Sequence, residues 1–75
     1  MSQVALPVIS GRQAVRAFER AGWSIARQRN HIVLIKPGVP VNLSIPDHKQ
    51  LDRGLLRSQI RKANLTVEEF VALLK

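Results

Sequence analysis

The sequence predicts an α+β domain in which helices cover one face of a three-stranded antiparallel sheet, in the order α-β-β-β-α-α. Two observations carry this expectation. Capping-box patterns, Ser10 with Gln13 and Thr66 with Glu69, open helical-period segments toward both ends of the chain. Between them lie three short apolar or alternating runs separated by Arg29-Asn30 and Pro37-Gly38, as strands joined by tight turns would be. There is no repeat, linker or low-complexity segment, so residues 1–75 read as a single domain.

The first helix is expected over residues 11–21, where Ala14, Val15, Phe18 and Ala21 form one stripe and Gly22 ends it. Its outer face carries Arg12, Arg16, Glu19 and Arg20, read as a solvated charged face. Residues 23–28 alternate, Trp23 and Ile25 against Ser24 and Ala26, like a half-buried strand. The second strand, residues 31–36, is apolar on both parities, so both of its faces want cover. Val41, Leu43 and Ile45 alternate with Asn42 and Ser44 in a third strand that Pro46 should stop. After a loop over residues 47–51, Asp52 is the expected N-cap of a helix with Leu56, Ile60 and Ala63 inward and Asn64 at its end. Val67, Phe70, Val71 and Leu74 supply the apolar side of a short last helix. With all helices on one side, the other sheet face stays open and exposes Val and Ile, which marks an interaction surface.

Lysine and arginine number 12 against 5 acidic residues, a formal charge of +7 with pI near 11.6. That field attracts polyanions, among which nucleic acids are the usual partners. The aromatic residues are only Phe18, Trp23 and Phe70, too few for a single-strand binder built on stacking platforms. Binding should instead lean on phosphate contacts. Without cysteine, and with two well-separated histidines, neither a disulfide framework nor a zinc site is expected, and no cofactor. The opening MSQVALPVIS lacks a basic n-region and no stretch reaches membrane-span length, so a soluble cytoplasmic protein without membrane contact is expected. A domain this small gains stability from an added interface.

The stretch RQRNHIVLIKP sets His31 at the start of the second strand beside cations. An imidazole on a rigid element next to arginines suits proton transfer at a phosphodiester, although a polar residue that merely opens a strand would look the same. Arg53, Arg57 and Arg61 recur at four-residue spacing, where like charges repel. Such a column is either a track for an anionic partner or a solvated face.

Taken together, LPVISGRQAVRAFERAGW, RQRNHIVLIKPG and SIPDHKQLDRGLLRSQIRKANLTVEEF resemble the HicA (YcfA-like) family of bacterial and archaeal toxins. The likeness rests on four motifs in order: Gly22-Trp23 after the first helix, the basic run into His31, Pro46-Asp47-His48, and Gly54-Leu55-Leu56-Arg57. The resemblance implies a fold similar to double-stranded RNA-binding domains. It further implies a metal-independent endoribonuclease that cleaves mRNA and is silenced by a HicB-type antitoxin in a hetero-oligomeric complex. His31 matches the family's catalytic histidine, with Arg29-Asn30 standing where Gly-Ser is usual. His31 would be the general base, or the acid toward the leaving 5'-oxygen. Arg27, Arg29 and Lys36 are expected to hold phosphate near it, with Arg53, Arg57 and Arg61 as a more distant track. Asp47 and His48 would form a structural clasp whose side chain bonds backbone amides, or His48 would be a second site. A non-catalytic double-stranded RNA-binding module is the alternative, and a DNA-binding accessory subunit lacks a helix-turn-helix to support it.

Overall fold

The computed structural model describes residues 5–75, so the reading of the opening segment falls partly outside the described residues. Ser10 opens α1 (Gly11–Arg20) with a complete capping box: its hydroxyl accepts from the Gln13 N–H, and the Gln13 side chain accepts from the Ser10 N–H. The helix ends at Ala21 in a Schellman arrangement, Gly22 N–H on Glu19 O and Trp23 N–H on Phe18 O. Gly22 supplies the positive φ of 100° that this closure needs. Asn64 takes the same place after α2 (Arg53–Lys62) at φ 61°, with Leu65 N–H on Ile60 O. Thr66 and Glu69 then form the second capping box, which opens α3 (Val67–Leu73).

Strands β1 (Ser24–Gln28), β2 (His31–Ile35) and β3 (Leu43–Pro46) make an antiparallel meander with β2 central. Ile32 and Leu34 of β2 and Leu43 and Ile45 of β3 point into the helix layer and are buried with Phe18, Leu56, Ile60 and Phe70. Each such side chain contributes about 1.5–3 kcal/mol by leaving water. The Phe18 and Phe70 rings, 4.9 Å between centroids, join α1 to α3. His31, Val33 and Ile35 point the other way, and Ile35 is 45% exposed on the uncovered face.

The structure departs from the sequence reading in four places. The alternation of β1 breaks at a β-bulge between Ile25 and Arg27, so Arg27 lies opposite Val33 and joins Ser24 on the open face. Uninterrupted alternation would have turned it toward the helices. Val41 lies outside β3, whereas Pro46 is a paired residue of it, opposite His31. The ladder explains the proline: the Ser44 N–H points away from β2 to the Gln59 side chain, 3.0 Å, and Pro46, two residues on, sits where an N–H would also point outward. Gln59, a polar residue on the inner side of α2, is thereby buried and covers the free edge of β3. Finally, Arg20 is exposed yet not free of the fold; its guanidinium donates to the main-chain oxygens of Leu73 and Lys75 and ties down the end of α3. Among the described residues no helix is long and apolar enough to cross a membrane.

Candidate functional site

His31 is exposed at the first position of β2, and its main chain is bonded on the β1 side. Its carbonyl accepts from Arg29 N–H at 3.2 Å, and it lies in register with Pro46. The Asp47 N–H then reaches back to Asn30 O at 3.2 Å, joining the Arg29-Asn30 turn to the end of β3. The imidazole thus stands on rigid backbone while its side chain meets solvent.

The open face collects the rest of the group. Arg27 opposes Val33 and so lies diagonally from His31, a spacing of about 7–8 Å between such positions. Arg29, in the turn, is exposed beside it. Neither arginine is in an ion pair among the described residues, where the one pair joins Arg12 to Asp47 at 3.1 Å. Lys36 does not belong to this group. It follows the far end of β2, and its ammonium donates to Ala21 O at 3.0 Å, capping the C-terminus of α1.

The arginine column of α2 is divided between two surfaces. Arg57 and Arg61 line a groove of about 510 Å³ against the start of α3, with Thr66 and Glu68. Arg53 faces a separate hollow with His48, Gln50 and Val8. An α-helix turns 100° per residue, so each four-residue step drifts by about 40°, which over two steps carries Arg53 and Arg61 onto different neighbours. His48 clasps through its main chain: its carbonyl accepts from Gly11 N–H at 2.9 Å, while the imidazole is exposed. The side-chain bond in this loop belongs to Asp47, with Arg12.

Two features of this region escaped the sequence reading. Arg12 and Asp47 meet across 35 positions, a pairing no local spacing can announce. Gly11 lies so close to β3 that a Cβ there would overlap the Pro46 carbonyl oxygen. Its only sequence signal was a glycine at the first helical position, where helix propensity alone disfavours it. No three His, Cys, Asp or Glu side chains come together among the described residues.

The sequence profile of the family described as HicA toxin of bacterial toxin-antitoxin matches residues 11–65. That span runs from the start of α1 through the helix that follows the sheet and includes His31, His48 and all three arginines of α2. No curated protein and no solved structure matches the chain.

Proposed function

The chain belongs to the HicA toxin family, and from that premise we propose that it is an endoribonuclease that cleaves mRNA in the cytoplasm and is held inactive by a HicB-type antitoxin. The observation that carries the reading is the setting of His31: exposed, at the start of the central strand, with Arg27 turned onto its face by the bulge. RNA brings its own nucleophile. A group that takes the 2'-hydroxyl proton while cations stabilise the charge growing on phosphorus is sufficient for internal transesterification. The 2'-oxygen bonds to phosphorus, the P–O5' bond breaks, and the 5'-oxygen takes up a proton. His31 serves one of the two proton transfers, and Arg27 and Arg29 hold the phosphate. The order of strands and helices also supports a shape-based, phosphate-centred grip of the double-stranded RNA-binding type.

His31→Ala should abolish cleavage in purified protein and growth arrest on expression while RNA binding and melting temperature stay near those of the parent. Products should carry 2',3'-cyclic phosphate or 3'-phosphate ends, and EDTA should leave the rate unchanged. Undiminished cleavage by His31→Ala would overturn the assignment, and RNA binding without cleavage by the parent chain would point to a non-catalytic binding module.

A further inference from the structure

His48, Gln50 and Arg53 stand around one open hollow of about 600 Å³, with Val8 on its wall. The loop that carries them is laced to the segment before α1 by two main-chain bonds, Gly11 N–H to His48 O at 2.9 Å and Leu51 N–H to Ile9 O at 2.7 Å. These bonds use backbone groups and leave the imidazole to solvent. Asp52, also on the wall, has its carboxylate on the Leu55 N–H at 2.9 Å as the N-cap of α2. Arg53 is in no ion pair among the described residues. What the hollow offers is a guanidinium, an imidazole and a primary amide beside a valine that is 51% exposed.

That set matches one nucleotide. A guanidinium binds phosphate through paired, charge-assisted hydrogen bonds, and imidazole and amide can bond a phosphate, a ribose hydroxyl or a base edge. The valine gives apolar cover to a ribose or base, which an acidic peptide side chain would not need. Position supports the same ligand. His31 and Pro46 form a pair of the kind whose Cα atoms lie about 4.5 Å apart, and two further residues span at most about 7.6 Å, so the His31 and His48 Cα atoms are within about 12 Å. No residue of β2 lines the hollow, so the two imidazoles face different spaces. We propose that the His48 and Arg53 hollow binds a second nucleotide of the RNA strand whose scissile phosphate lies at His31, and that His48 holds this nucleotide and takes no part in proton transfer. The inference rests on the RNA-cleaving reading.

The test is to titrate the intact protein with a 2'-O-methyl RNA oligonucleotide, which cannot be cleaved, while following the imidazole NMR signals of both histidines. Both should shift along one binding curve. His48→Ala and Arg53→Gln should each raise KM about tenfold, the loss of one charge-assisted or well-formed hydrogen bond, with kcat changed less than about twofold. Melting temperature serves as the folding control, since the main-chain bond of His48 to Gly11 survives substitution. Movement of the His31 signal with a static His48 signal and unchanged KM in Arg53→Gln would remove the second contact and leave the RNA reading standing. A static pair of signals would overturn the RNA reading itself. Loss of kcat at constant KM in His48→Ala would place His48 in the chemistry and overturn the holding role.

Discussion

Gly11 has no side chain where the start of α1 lies against the end of β3, and a methyl group there would overlap the carbonyl oxygen of Pro46. Gly11→Ala must therefore push α1 away from the end of β3, the segment that carries Asp47 and His48. Such overpacking costs about 1–3 kcal/mol, and in a domain of this size each kcal/mol lowers the melting temperature by roughly 4–8 °C. Thermal unfolding of Gly11→Ala at the parent temperature would show that the close approach is absent. Lys36 gives the opposite kind of case, a cation bonded to a helix end. Lys36→Met should lose the bond to Ala21 O, costing about 0.5–1.5 kcal/mol, yet leave RNA affinity nearly as it was. A fall in affinity as large as that of Arg27→Gln would return Lys36 to the phosphate-binding group.

Among the elements, α2 has one side for the fold and two that line open hollows. Leu56, Gln59 and Ile60 face inward, and Gln59 occupies the outer edge of β3 through the Ser44 N–H. Arg57 and Arg61, one turn apart, line the groove against α3 with no ion-pair partner among the described residues. Two guanidinium groups on one groove would bind a phosphate chain through counterion release. Replacing both by glutamine should weaken binding to all RNA sequences alike and flatten the slope of log K against log salt by about 1.4, at about 0.7 per neutralised phosphate on a single strand. Folding stability should hold or rise slightly, because the like-charge repulsion along the helix is gone. An unchanged salt slope would make these arginines a solvated face.

Over the whole molecule, one face of the sheet is packed and the other is not. The open face carries His31, Arg27, Val33 and the 45% exposed Ile35 on a chain of charge +7. An acidic partner that lies across it would pair its carboxylates with Arg27 and Arg29 and bury Ile35, so inhibitor and RNA would compete for one surface. Ile35→Glu should change folding stability by less than about 0.5 kcal/mol, since the site is solvated, but release inhibition by the antitoxin; full inhibition of that variant would place the partner elsewhere. His31→Ala, by contrast, should still bind the partner, and the complex should melt above the free chain. The packed side depends on α3, although the family match ends at residue 65. Phe70 is fully buried against Phe18, so Phe70→Ala should cost about 3–5 kcal/mol, a large part of what a domain this size has. A urea midpoint close to that of the parent would contradict this.

Helix caps, turns and the inward residues were legible in the chain because each depends on neighbours three or four positions away. Ser10 with Gln13, Asp52 with Leu55 and Thr66 with Glu69 all form as their spacing implies. His31 was legible for the same reason, as the polar residue between a turn and an apolar run. Placement of the cations was not. A one-residue bulge, invisible to a pattern of period two, moved Arg27 to the face of His31. Lys36 was drawn to a helix end, and Arg53 was parted from Arg57 and Arg61 by the turn of the helix against different neighbours. Long side chains on a chain of excess positive charge take whichever carbonyl, carboxylate or groove the packing brings near. Those partners lie 15 residues away for Lys36 and 35 for Arg12, so only the folded chain assigns each cation its place.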